Sequence, residues 1–183
     1  VQMELAALSS LSAHPNVMPL VACIQTVTHA HLVFSLARVD FFTLVNRRPI
    51  AESAARNFAR QLMRAVAHIH AHGLLHGDIK LDNLLVCGTG RPGDPLTLRL
   101  TDLGLAAPMR AGVAEVRGPR GTRSYCSPAV LSGRLYDGAA ADAWSVGVCI
   151  FAMACRFFPY ERASDDDWRF RRLYNKSRHL VRD

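Results

Sequence analysis

Acidic residues are scarce in this sequence: 15 Asp and Glu stand against 22 Lys and Arg in 183 residues, a formal charge of +7. The basic excess falls in Arg110 to Arg123 and Arg169 to Arg182, so a polyanion partner has to be considered. No aromatic residue interleaves with the arginines between Arg110 and Arg123, which leaves bases nothing to stack on, and nucleic acid is not the expected partner. The five cysteines, Cys23, Cys87, Cys126, Cys149 and Cys155, are odd in number, widely spaced and without a Cys-x-x-Cys pair. That pattern argues against a disulfide framework or a zinc ribbon and for a reducing compartment, cytoplasmic or nuclear. The longest uncharged apolar run, Ala143 to Cys155, is 13 residues, short of the ~20 that cross a bilayer. No basic-then-apolar leader opens the chain, so neither a membrane span nor a secretory signal is expected. Core material, by contrast, is plentiful. With 50% hydrophobic and 20% charged residues, disorder is excluded as the default, and the length fits one domain or a piece of one.

Periodicity supplies the elements. Leu5, Leu8 and Leu11 recur at helical spacing until His14-Pro15-Asn16 stops the run. No capping residue or initiator Met precedes that helix, so a piece cut from a longer polypeptide is the expectation. Val17 to Val27 and His31 to Leu36 read as two strands joined by a turn near Thr28 to Ala30. From Ala54 onward, Phe58, Leu62, Ala65, Val66 and Ile69 trace one helical face while Arg56, Arg60 and Arg64 occupy another, and Gly73 ends the helix. A second hairpin is expected from Leu84 to Cys87 and Leu96 to Thr101 around the Gly/Pro-rich turn between them. Residues 104 to 129 carry little periodicity and read as a long loop of the kind that is usually functional. An apolar helix from about Ala141 to Cys155 and a polar, Arg-rich segment with one more helix complete the chain.

Three segments carry the chemistry, in this order: His76-Gly77-Asp78-Ile79-Lys80-Leu81-Asp82-Asn83, Thr101-Asp102-Leu103-Gly104, and Gly121-Thr122-Arg123-Ser124-Tyr125-Cys126-Ser127-Pro128-Ala129. Together they resemble the catalytic loop, metal-binding loop and substrate platform of eukaryotic protein kinases. The resemblance implies an α+β, protein-kinase-like fold over residues 1–183, truncated, with 1–36 as the small-lobe remainder and hinge strand and 37–183 as the large lobe. It implies an ATP-dependent serine/threonine protein kinase using Mg²⁺ and acting on a protein substrate, an acidic one if the basic loop faces it. Lys80, within Asp-x-Lys-x-x-Asn, points to serine/threonine rather than tyrosine substrates.

By the same resemblance Asp78, Lys80 and Thr122 are catalytic, and Asn83 and Asp102 hold the metal. Glu4 looks like the glutamate that pairs with the phosphate-clamping lysine, Phe34 like the gatekeeper, Ser35 and Ala37 like hinge positions, Asp40 like the ribose-side acid and Leu85 like the adenine floor. Asp142 looks like the aspartate of the central helix that ties down the catalytic loop. Phosphoryl transfer needs these residue types on chemical grounds: a carboxylate beside the acceptor hydroxyl, a cation near the γ-phosphate and hard oxygen ligands for Mg²⁺. Taken singly, each is bland. Asp-x-Lys is usually a solvated turn, and the histidines His68, His70, His72 and His76 read as core or surface side chains, His76 bonding to the metal-loop backbone.

The pattern also departs from the family. No glycine-rich loop or lysine-bearing strand precedes Glu4, so a fragment inactive on its own is the expectation, and a pseudokinase serving as a binding module or scaffold is the alternative. Ser127-Pro128-Ala129 stands where Ala-Pro-Glu is usual, Leu103 where phenylalanine is, and Gly77 where arginine is. Leu105 to Arg120 contains no Ser, Thr or Tyr, so activity without loop phosphorylation is expected.

Overall fold

Two kinds of periodicity meet at one buried turn, and that turn holds the fold together. In the computed structural model, which describes residues 2–88, 96–109, 115–118 and 120–180, the chain opens with helix α1 (Gln2–Ser10). The antiparallel hairpin of β1 (Leu20–Gln25) and β2 (Ala30–Phe34) follows. Between them Asn16 is buried at 4% exposure. Its Nδ2 donates to Gln61 Oε1 and to the Leu98 carbonyl, both at 2.9 Å. Its carbonyl accepts from Leu100 N at 2.8 Å, and Met18 N donates to the Leu100 carbonyl at 2.9 Å. Asn16, six residues past the end of α1, therefore pins the first hairpin to the rest of the molecule.

A short extended pair, β3 (Val39–Asp40), leads into helix α2 (Phe41–Arg47). Sequence periodicity did not anticipate either element. Asp40 starts the helix by accepting from Thr43 N at 2.7 Å and from Thr43 Oγ1 at 2.8 Å, an N-cap that satisfies one of the orphan donors of the first turn. Helix α3 (Glu52–Ala71) buries Phe58, Leu62, Ala65, Val66 and Ile69, as its pattern predicts. Strands β5 (Leu84–Cys87) and β6 (Thr97–Leu100) form the expected second hairpin. β3 adds to it, giving a three-stranded sheet in the order β3-β5-β6. Of the Gly/Pro-rich turn assigned between β5 and β6, residues 89–95 lie outside the described residues.

The stretch expected to be a featureless loop is partly ordered into strands. β4 (Leu74–Leu75) pairs with β7 (Ala107–Pro108), and β8 (Glu115–Arg117) pairs with β9 (Leu135–Asp137). Val116, Tyr136, Cys126, Val130 and Leu75 pack into a small apolar cluster of their own. Helix α4 (Pro128–Leu131) is capped by Ser127, whose Oγ accepts from Val130 N at 3.3 Å. Helix α5 (Gly138–Cys155), capped by Asp137, packs on α3, and α6 (Trp168–Leu180) follows. By length and composition α5 could span a bilayer. Here it is a core helix, with Val146, Cys149 and Met153 in the main cluster alongside Leu62, Ile69 and Leu84, and with the buried carboxylate of Asp142 on its inner side.

Candidate active site

The end of α3 and the pairing of β4 with β7 deliver the segment 76–83 to the base of a cleft, and a buried aspartate fixes its shape. Asp142 Oδ2 accepts from His76 N at 2.9 Å, and Oδ1 accepts from Gly77 N at 3.0 Å. Oδ2 also lies 2.8 Å from His70 Nε2. Asp142 is 3% exposed, so its charge is met by donors from two other parts of the chain, as a buried carboxylate requires. The tie to the catalytic loop was legible beforehand; the third partner, His70, was not.

His76 is fully buried. Burial holds its imidazole below the ordinary histidine range, against the raising influence of Asp142 and of the Thr101 carbonyl. The neutral ring has one productive tautomer: Nε2–H donates to the Thr101 carbonyl at 3.0 Å, and Nδ1 accepts from Asp78 N at 3.2 Å. One side chain thus links the 101–104 loop to the backbone of Asp78.

Asp78, Lys80 and Thr122 converge. Lys80 Nζ donates to Asp78 Oδ2 at 2.5 Å and to Thr122 Oγ1 at 3.2 Å. Thr122 N and Oγ1 donate to Asp78 Oδ1 at 2.8 and 2.9 Å. Partial burial raises the Asp78 carboxyl, but the hydrogen bonds from Lys80 and Thr122 and the lysine charge outweigh it and leave the group below its ordinary value. For Lys80, burial lowers the ammonium, and the Asp78 bond and charge more than reverse it. The pair is therefore ionised at neutral pH.

Two glycines make this convergence possible. Gly77 has φ +81° and Gly121 φ +82°, a region where a side chain is strained. A Cβ at Gly77 would sit 2.6 Å from the Leu105 carbonyl oxygen, and one at Gly121 would sit 2.7 Å from the Gly77 carbonyl oxygen. The backbones of the catalytic loop and the platform thus touch where only glycine fits, and Thr122 lands on Asp78 as a result. The glycine in the place of the family's arginine is therefore built into this loop's packing. We expect Gly77→Ala to lose about 1–3 kcal/mol, read as a lower urea midpoint at unchanged m-value; an unchanged midpoint would show that the loop yields easily.

The platform is anchored from below. The Tyr125 hydroxyl accepts from Leu81 N at 3.2 Å, and the Tyr125 carbonyl accepts from Ser145 Oγ at 2.9 Å. Cys126 Sγ lies 3.2 Å from the Arg120 carbonyl. Position 129, where an acid is usual, is an exposed alanine.

The remaining sequence-assigned residues divide into two groups. Asn83 Nδ2 donates to the Asp78 carbonyl at 2.9 Å, and Thr101 N donates to the Asn83 carbonyl at 3.0 Å. Asp102 takes a left-handed backbone, φ +67°, and accepts from Gly104 N at 3.2 Å through Oδ1. Asn83 Oδ1 and Asp102 Oδ2 accept no hydrogen bond among the described residues, so one amide and one carboxylate oxygen are available to a cation. Burial raises the Glu4 carboxyl and the charge of Asp102 raises it further, which sets Glu4 and Asp102 within electrostatic reach of each other. An Asn–Asp oxygen set with a further acid nearby fits a hard, partly hydrated ion such as Mg²⁺. Asp40 pairs with Leu85 across β3 and β5, but both Asp40 oxygens are engaged by Thr43, a capping role the assignment to ribose did not foresee. Phe34 ends β2, and Ser35 and Ala37 lie in the connection to β3.

The protein kinase domain profile matches residues 1–180. CBL-interacting serine/threonine-protein kinase 24 of Arabidopsis thaliana is 36% identical over 149 residues, which cover 80% of this chain and 32% of that protein. Calcium/calmodulin-dependent protein kinase type IV of Mus musculus is 34% identical over 183 residues, 99% of this chain and 38% of that protein. The chain spans about a third of the length of these curated relatives. A loop tied to the central helix, a matching domain profile and relatives named as protein kinases agree, and the chain belongs to the protein kinase family.

Proposed function

We propose that this chain is the catalytic-domain portion of an ATP-dependent serine/threonine protein kinase that moves the γ-phosphoryl group of ATP to a protein hydroxyl. The observation that carries the reading is the ionised cluster of Asp78, Lys80 and Thr122, with Asn83 and Asp102 beside it. In the reaction the acceptor oxygen bonds to the γ-phosphorus, the bond from phosphorus to the β,γ-bridging oxygen breaks, and ADP leaves. Asp78, a carboxylate at neutral pH, orients the hydroxyl and accepts its proton. Lys80 offsets charge on the transferring group, and Thr122 holds Asp78 in one orientation. Asn83 and Asp102 would hold Mg²⁺, which when bound neutralises phosphate charge. Glu4, Phe34, Ser35, Ala37, Asp40 and Leu85 border the nucleotide, with Leu85 beneath the base.

The free, widely spaced cysteines support a cytoplasmic or nuclear protein, and Arg123, next to Thr122, exposed and without an ion-pair partner among the described residues, supports substrates of acidic character. The test is incubation of the full-length protein with γ-labelled ATP, casein as an acidic acceptor and histone as a basic one, with Mg²⁺ or with EDTA. Label on serine or threonine that needs Mg²⁺ and favours casein is the expected result. Nucleotide binding without any transfer would make the protein a scaffold instead.

A further inference from the structure

A groove of about 370 Å³ opens between the end of α2, the connection 48–51, the start of α3 and the β3–β5 strand pair. Leu44, Ile50, Ala54, Phe58, Val86 and Leu96 give it an apolar lining, and Arg38 and Arg48 stand on it as well. It shares no residue with the 76–83 loop or with the platform.

The walls are fixed by the fold. Arg38 N donates to the Val86 carbonyl at 2.9 Å, Arg48 N to the Leu44 carbonyl at 3.3 Å, and Ala55 N to the Ala51 carbonyl at 2.9 Å. Phe58 packs edge-on against Phe41 with ring centres 4.8 Å apart. Binding here costs little ordering of the protein. The volume lies at the low end of the range for ligand pockets, enough for a few side chains.

Its charge is one-sided. Among the described residues no carboxylate lines the groove. Both arginines are exposed, and neither guanidinium has an ion-pair partner among the described residues. An apolar floor with two free guanidinium groups complements an apolar side chain beside a carboxylate, because burial drives the first contact and arginine receives a carboxylate through two parallel hydrogen bonds. Nucleic acid fits poorly, since among the described residues the groove has a single aromatic ring, Phe58, and that ring is buried.

We propose that this groove docks a short segment of a partner protein in which a large aliphatic or aromatic side chain lies within a few residues of one or two Asp or Glu residues. Docking here tethers the partner to the kinase domain away from the acceptor loop, and it does not depend on the chain transferring phosphate.

The test is a display selection of random twelve-residue peptides on this protein, run in parallel on the double variant Arg38→Glu/Arg48→Glu, with far-UV circular dichroism confirming that the variant is folded. Peptides pairing Leu, Ile, Phe or Met with Asp or Glu should be enriched on the parent alone. A fluorescein-labelled winner should lose at least ten-fold in affinity on the double variant, weaken as salt rises, and lose less on Arg38→Lys/Arg48→Lys, which keeps the charges but not the paired hydrogen bonds. Absence of enrichment over the variant, enrichment of basic peptides, or equal affinity for parent and double variant would overturn the proposal. Self-association in sedimentation velocity that the double variant abolishes would overturn it too, by making a second copy the occupant.

Discussion

Asp78→Asn in the full-length protein is expected to lower phosphotransfer by about 10²–10⁴-fold while leaving the unfolding curve nearly in place, the range that loss of a positioned general base produces. The carboxylate is the point where the Thr122 amide, the Thr122 hydroxyl and the Lys80 ammonium meet. An amide of the same shape keeps one acceptor oxygen for Thr122 and removes both the negative charge and the site for the hydroxyl proton. Because Asp78 lies at the surface of a cleft and not in the main apolar cluster, the fold has little to lose. The check is initial rate against enzyme concentration at saturating ATP, with nucleotide affinity measured separately. A rate within three-fold of the parent would remove Asp78 from the reaction.

Asp142→Ala is expected to do the reverse, damaging the fold first and activity as a consequence. The substitution deletes the acceptor for His76 N and Gly77 N and the partner of His70 Nε2, and it does so at a site closed to water. Each buried donor left without a partner costs about 1–3 kcal/mol. With some relaxation of the loop the total should come to about 2–5 kcal/mol. Urea unfolding followed by circular dichroism reads this as a lower midpoint, and amide exchange should speed up at residues 76 and 77. A loss below about 1 kcal/mol would show that the loop holds its shape without the tie. Asp142→Asn should fall between parent and alanine, since one acceptor oxygen survives while an amide N–H₂ faces a donor.

These two residues differ in how they could be found. Asp78 stands in a short pattern with Lys80 and Asn83, all on one loop, and the three ordered segments that carry the family resemblance pointed to it. The role of Asp142 was legible only through resemblance to a family, and its contact with His70, 72 residues away, left no local trace. Asp40 is the mirror case. Resemblance assigns it to the ribose side, and the structure adds that it caps α2. The capping signal, Asp40 followed three residues on by Thr43 and by an apolar pair at Phe41 and Val45, was present in the sequence but spans only seven helical residues, too short for periodicity to stand out.

The sequence alone determined the elements whose patterns are long enough to declare themselves: the face of α3, the two hairpins, the apolar α5 and the order of the three chemical segments. Local propensity and side-chain period act over a few residues, and those elements need nothing more. Tertiary structure decided the rest. The two-residue strands β3, β4 and β7 and the pairing of β8 with β9 exist because distant segments supply their hydrogen-bond partners. Gly77 and Gly121 lie 44 positions apart and meet beside Asp78 because neither carries a Cβ to hold the backbones apart. A close approach of that kind depends on where two loops are carried by everything between them, and no window along the chain contains it.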